Sequence, residues 1–206
     1  RARAGSAPIV RFVLGAFAMI GAIVFLGCPW RAVLRLAGGD GNAIFGLLGL
    51  IGGIWIGTLF LRSGYNLGRA QKTHTSVGWL LPLTMLGFLV LMLVFPQVEG
   101  QDKNGVLFYS LKGPGSMHAP LFVSLLIGLC IGFLAQRSRF CTMGAIRDFV
   151  LFRQAHLLSG FITLVVAAFI TNLILGQFHP GFEKQPVAHT MSLWNFGGMV
   201  LAGLAF

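Results

Sequence analysis

The chain has 206 residues, of which 56% are hydrophobic and only 10% are charged, and its mean hydropathy is +0.83. A soluble domain carries about a quarter charged residues, so the composition excludes an ordinary soluble domain. The formal net charge of +10 does not indicate a nucleic-acid partner, because so apolar a chain has no soluble surface for a binding module. Three cysteines with no C-x-x-C pair exclude a zinc knuckle and a disulfide framework.

Apolar runs near the length that a helix needs to cross ~30 Å of hydrocarbon recur along the chain. We predict membrane spans at 9–27, 42–61, 77–95, 119–136, 156–178 and 193–206, the last one incomplete. The expected fold is therefore an all-α polytopic membrane protein. Because the sequence begins without Met and ends inside an apolar run, we expect it to be a piece of a longer chain.

Polar segments connect these spans. Residues 28–40 and 137–150 are too short and too polar to cross, and they predict short helices that lie at the interface or re-enter the membrane. A further interfacial helix is the interpretation for 61–71, and an extramembrane loop for 96–118.

The two halves of the chain, 1–100 and 101–206, have matching spacing. Their spans begin at offsets of 110, 114 and 116 residues, and Cys28 and Cys141 lie 113 residues apart, each just after the first span of its half. Each cysteine opens a short segment with arginine, "CPWRAVLR" or "CTMGAIR". Three spans are an odd number, so the second unit must face the opposite way, which predicts the inverted repeat of secondary transporters.

Basic residues divide unevenly between the two sides of this predicted topology. The side that holds the N-terminus carries ten Lys and Arg residues, and the other side carries five together with four of the five acids. The positive-inside rule therefore predicts a cytoplasmic N-terminus.

Two segments resemble the signatures of a known family. "FLGCPWRAVLRLAGGD" (25–40) and "GFLAQRSRFCTMGAIRD" (132–148) are similar to segments of the YeeE/YedE sulfur-compound transporters, and "RSRFCTMGAIRDFVLF" is most similar to the YedE branch, proposed to handle selenium. The resemblance covers nearly the entire chain, although longer members continue into a further glycine–cysteine–proline segment that is absent here.

The resemblance implies a multi-pass transporter of the bacterial inner (plasma) membrane with a narrow central path. Cysteines on opposed dipping helices, carried over to Cys28 and Cys141, would hand along thiosulfate or a similar anion. The expected partners are this small sulfur or selenium anion, the lipid bilayer and a cytoplasmic sulfur- or selenium-handling protein. No nucleic acid, metal or cofactor is expected.

The chemistry of these residues favours the same substrate class. A thiol is soft and polarisable, as is a terminal sulfur or selenium on an oxyanion, and arginines offset the cost of bringing an anion into low dielectric. Arg31 and Arg35 lie four apart on one helical face, whereas Arg147 has local pairing with Asp148 as its alternative. The predicted substrate-binding residues are Cys28, Cys141, Arg31, Arg35 and Arg147.

Other polar residues receive simpler interpretations. Cys130 is predicted to be a packing residue, and the arginines at the cytoplasmic boundary to be membrane anchors. Asn172 and Thr171 either line the path or bond between helices. The five histidines are predicted to be solvated loop residues: His74, His118, His156, His179 and His189.

The leading hypothesis is inward transport of a small sulfur- or selenium-containing anion, not an enzyme activity. The alternative is a membrane-embedded thiol redox or sulfur-transferase component, in which the two cysteines cycle through persulfides. A third interpretation is a structural membrane subunit with packing cysteines.

Overall fold

The computed structural model describes residues 3–4, 7–69, 71–72, 74–95, 119–183, 185 and 188–205. Within these ranges the chain forms eight helices and one pair of two-residue strands, β1 (Arg3–Ala4) and β2 (Gln71–Lys72), which run antiparallel. The helices are α1 (Pro8–Phe25), α2 (Pro29–Ala37), α3 (Asn42–Arg62), α4 (Thr75–Val94), α5 (Leu121–Ser138), α6 (Thr142–Phe152), α7 (His156–Ile174) and α8 (Ser192–Leu204).

The predicted all-α architecture is confirmed. The six predicted spans agree with α1, α3, α4, α5, α7 and α8 to within four residues at each end. Five helical stretches are long and apolar enough to cross a membrane, as in a multi-pass membrane protein: Pro8–Ala37, Asn42–Arg62, Thr75–Val94, Leu121–Phe152 and His156–Ile174. α8 is apolar but has only 13 residues, about 20 Å at 1.5 Å per residue.

The segments between the spans differ from their predictions. The helix predicted at 28–40 stops at Ala37, because two glycines follow and Gly39 adopts φ 98°. The helix predicted at 137–150 starts at Thr142, because Arg139 takes a left-handed conformation and ends α5. The interfacial helix predicted at 61–71 is wrong.

Residues after Arg62 form a turn and irregular backbone up to residue 69. Two glycines there, Gly64 and Gly68, have positive φ, which a continuing helix does not allow. The loop predicted at 96–118 lies outside the described residues.

The chain divides into two units. One comprises Arg1–Pro8 and Leu67–Ala119 and contains the strand pair and α4. No residue of α4 is buried. The other comprises Ile9–Asn66 and Pro120–Phe206 and contains the remaining helices. α5 and α7 also have no buried residues, so their apolar side chains suit contact with lipid.

The hydrophobic core of the second unit lies where α1 ends against α2, α3, α6 and α8. Its centre is Phe25, which is fully buried at the last residue of α1. Gly46 of α3 makes room for the Phe25 ring, since a Cβ at that position would overlap the ring edge. The core cluster consists of Phe25, Ala32, Leu50, Ile54, Met143, Ile146, Met199 and Ala202.

Glycines set the distance between α3 and α8. A Cβ on Gly49 would meet the carbonyl oxygen of Phe196, and a Cβ on Gly53 would meet that of Val200. The two helices therefore touch backbone to backbone, as is common for small-xxx-small motifs in membranes. This close approach positions the start of α8 beside the start of α3.

We expect Gly53→Ala to destabilise the fold by about 1–3 kcal/mol, because the added methyl group must displace the α8 backbone. Its neighbour Gly52 has nothing within 4 Å of an added Cβ. Gly52→Ala should be neutral or stabilising by up to ~1 kcal/mol, since alanine is the better helix former. Thermal unfolding of the purified protein in detergent, followed by tryptophan fluorescence, compares the two. Equal melting temperatures would contradict this packing.

Candidate functional site

Each of the two cysteine segments begins with a break in the chain. α1 ends at Phe25 and Leu26 follows with φ 58°, while Arg139 ends α5 with φ 51°. A left-handed conformation costs a residue with a side chain about 1–2 kcal/mol, so the surrounding contacts must hold both breaks. In each case the cysteine comes two residues later, as Cys28 or Cys141.

Both cysteines are N-caps of short helices. Cys28 has extended backbone (φ −76°, ψ 168°), and Pro29 occupies the first turn of α2, a position that suits proline. Cys141 is also extended (φ −140°, ψ 117°), and its Sγ accepts a hydrogen bond from the Gly144 amide at 3.3 Å. Both residues are exposed. Each thiol thus stands at the electropositive N-terminal end of a helix.

Aromatic side chains bring the two helix starts together. The rings of Trp30, two residues after Cys28, and Phe140, just before Cys141, pack edge to face with their centroids 5.7 Å apart and their planes at 73°. Phe140 also packs against α7 at Gly160, where an added Cβ would lie 3.2 Å from the Phe140 ring. The N-terminal ends of α2 and α6 therefore meet.

A buried ion pair holds the other end of α2. Arg35 Nε donates to Asp40 Oδ2 at 2.6 Å, and the side chains are 7% and 4% exposed. Arg35 Nη1 donates to the Phe25 carbonyl at 2.8 Å, and the guanidinium carbon lies 4.3 Å from the centroid of the Phe25 ring. Nη2 is buried without a hydrogen-bond partner among the described residues. Arg35 thereby fastens α2 back onto the end of α1.

Asp40 extends this contact into a polar junction. Its Oδ1 accepts from the Asn42 amide at 2.9 Å, and Asn42 Nδ2 donates to the Phe182 carbonyl at 2.7 Å. The Ser192 hydroxyl donates to Asn42 Oδ1 at 3.0 Å. The starts of α3 and α8 and the segment that follows α7 are thus bonded to one another.

A polar cleft of roughly 340 Å³ lies beside the ion pair. Asn172 of α7 lines it, whereas Thr171 bonds the Ala167 carbonyl within its own helix. The cleft is lined by Leu34, Arg35, Gly38, Asp40, Asn172, Gln177, His179 and Gln185.

The remaining predicted residues lie around this framework. Arg31 is partly buried and its side chain lies over Gly27, where a Cβ would meet it. Arg147 pairs with Asp148 at 3.0 Å, which confirms its alternative interpretation as a local pair. Cys130 is exposed on α5 and is not the packing residue that the sequence predicted.

Sequence reasoning assigned no role to most of the polar junction. Asp40 and Asn42 lie in the string "GGDGN" (38–42), where the glycines and Asp predict a turn. Nothing in the sequence around them indicates the distant residues to which they bond. The prediction of a solvated loop residue is wrong for His189, which is partly buried with its Nε2 2.6 Å from the Val24 carbonyl oxygen. His118 lies outside the described residues, and the other three are exposed as predicted.

No family model, no curated protein and no solved structure matches this chain.

We expect Asp40→Asn to destabilise the protein by about 3–5 kcal/mol, because it leaves the Arg35 guanidinium buried without a counter-charge. The matched control is Asp148→Asn, which removes the exposed pair with Arg147 and should cost no more than about 1 kcal/mol. Thermal melts of both variants in detergent provide the measurement. A similar loss of stability in both variants would show that the buried ion pair contributes no more than the exposed one.

The convergence of the two helix starts predicts that a short bifunctional thiol reagent joins Cys28 to Cys141. The experiment uses a Cys130→Ala background, so that only this pair of the three cysteines remains. Intact-mass spectrometry should find one reagent bound through both thiols. Two reagents per chain, each attached at one end, would place the thiols too far apart for a shared site.

Proposed function

We propose that this chain is a bacterial inner-membrane transporter that takes up a small sulfur- or selenium-containing anion, such as thiosulfate or a selenium oxyanion. The observation that carries the proposal is the pairing of two exposed thiols, Cys28 and Cys141, on helix N-termini that meet through Trp30 and Phe140. The resemblance of both segments to the YeeE/YedE family supports the same reading.

The chemistry of this pair suits passage of a soft anion. The amides of a helix N-terminus and its positive dipole end attract negative charge. A thiol adds a weak, polarisable contact that favours a terminal sulfur or selenium over a hard oxygen. Two weak sites in series allow the anion to enter and to leave, whereas one tight site would trap it.

The three candidate arginines have different parts in this proposal. Arg31, close to Cys28 in the first turn of α2, supplies positive potential to the path. Arg147 does so on α6 with its charge partly offset by Asp148. Arg35 is neutralised by Asp40, so it acts by holding α2 in place.

Matched local geometry supports the proposed inverted repeat of the halves 1–100 and 101–206. The left-handed residues Leu26 and Arg139 are separated by the same 113 positions as Cys28 and Cys141. Each short helix is also followed by a residue of positive φ, Gly39 or Arg153. In the proposed orientation the N-terminus is cytoplasmic, so Cys28 is reached from outside and Cys141 from inside.

Uptake of radiolabelled thiosulfate and selenite tests the proposal, in cells that lack their own sulfur-anion importers. Cys28→Ala and Cys141→Ala should each lower the uptake rate about tenfold, equivalent to about 1.4 kcal/mol for a lost contact to the anion. Cys130→Ala is the matched control and should transport as wild type does. All variants are compared at equal abundance in the membrane.

The outcomes separate the alternatives. Uptake of neither anion by the wild type would overturn the named substrates, and uptake that ignores the cysteine changes would overturn the thiol path. A sulfur-transferase component would instead retain labelled sulfur on the protein after denaturation. A structural subunit would change only its stability when Cys28 or Cys141 is replaced.

A further inference from the structure

The polar cleft lies at the opposite end of α2 from Cys28. Leu34, Arg35 and Gly38 line it from the last turn of α2 and its C-cap, whereas Cys28 is the N-cap of the same helix. The 9 residues of α2 span about 14 Å at 1.5 Å per residue. The cleft is therefore distinct from the thiol pair, and its volume of roughly 340 Å³ is within the range of small-molecule sites.

Arg35 brings a hydrogen-bond donor without an acceptor to this cleft. Its Nε donates to Asp40 and its Nη1 to the Phe25 carbonyl. Nη2 is buried and has no partner among the residues that the structure describes. A buried donor on a charged group is costly to leave unpaired. A planar guanidinium prefers the oxygens of a carboxylate or another oxyanion, so this nitrogen favours a ligand with such a group.

Carboxamide side chains supply the complementary polar groups. Asn172 Nδ2 is 3.8 Å from the position of a Cβ added to Gly38, so this amide lies close to the end of α2. Gln185 Nε2 donates to two backbone carbonyls, at 2.8 and 3.1 Å. Both of its hydrogens are thereby used, and Oε1 is left as an acceptor. The lining thus offers a donor from Asn172 and an acceptor from Gln185.

The charges around the cleft disfavour a simple anion. Asp40 neutralises Arg35. Gly38 is the C-cap of α2 and Asn172 lies in the last turn of α7, so two helix C-terminal ends face this region, each with a partial charge of about −0.5. A simple cation would suit these ends but would leave the Arg35 Nη2 donor unpaired. The ligand that fits carries an acidic group and a basic group together.

We propose that the polar cleft binds a small zwitterion of the amino-acid class. Its carboxylate accepts hydrogen bonds from Arg35 Nη2 and Asn172 Nδ2. Its ammonium group donates to Gln185 Oε1 and is attracted by the C-terminal ends of α2 and α7. Leu34 provides an apolar contact for a small side chain. This site goes beyond the transport function proposed above and does not depend on it.

Binding of radiolabelled L-alanine to the purified protein in detergent tests the site, measured by scintillation proximity. Propionate has the same carbon chain without the ammonium group, and ethylamine lacks the carboxylate. Alanine should bind saturably, one per chain, and unlabelled alanine should displace it. The same concentration of propionate or ethylamine should not, because each makes only half of the contacts.

Variants of α7 locate the bound alanine. Asn172→Leu removes the amide donor at similar volume and should raise the Kd about tenfold, as expected for one lost hydrogen bond to a charged group. The matched control is Thr171→Val, which changes a hydroxyl that bonds the Ala167 carbonyl within its own helix and should bind as wild type does. Gln177→Leu is a second cleft variant at an exposed position, where folding is insensitive to the change, and it should also weaken binding.

Three results would overturn the zwitterion site. The first is the absence of saturable alanine binding, which would leave the cleft to solvent. The second is displacement by propionate or ethylamine as effective as by alanine, which would make it a site for a simple ion. The third is wild-type affinity in both Asn172→Leu and Gln177→Leu, which would place the alanine elsewhere. The assay involves neither transport nor the cysteines, so failure of thiosulfate and selenite uptake would leave its result intact.

Discussion

The ion pair between Arg35 and Asp40 is the contact on which the rest of the site depends. Both side chains are almost fully buried, and removing two charges from water costs several kcal/mol per ion unless other bonds compensate. Here the Phe25 carbonyl, the Phe25 ring and the Asn42 amide supply those bonds. The compensating groups come from α1 and α3, so the pair is satisfied only when α2 folds back between them. That geometry fixes where Cys28 stands.

Length and apolarity were sufficient to predict the helices. A run such as 42–61 has few alternatives once it must satisfy its backbone in lipid, because only a helix does so within one segment. Spacing also indicated that Cys28 and Cys141 hold comparable places. The contacts of Gly49 and Gly53 with α8 could not be predicted, because a small-xxx-small motif in the sequence does not show which helix packs against it.

The polar junction could not be predicted from the sequence, because the residues that bond to one another are far apart in it. Asn42 bonds Phe182, 140 residues away, and His189 bonds Val24, 165 residues away. A histidine in a polar connection looks solvated until a helix end is placed beside it. The helix breaks at Leu26 and Arg139 could not be predicted for a different reason. Neither residue type favours a left-handed backbone, so tertiary contacts overrode local preference.

The capping of α1 also affects the electrostatic field around Cys28. Only three residues separate the C-terminal end of α1 from the N-terminal end of α2, so a negative helix end and a positive one lie side by side. With its carbonyls free, the negative end of α1 would oppose the positive potential at the start of α2. Arg35 and His189 occupy two of those carbonyls, and the local field is then dominated by α2.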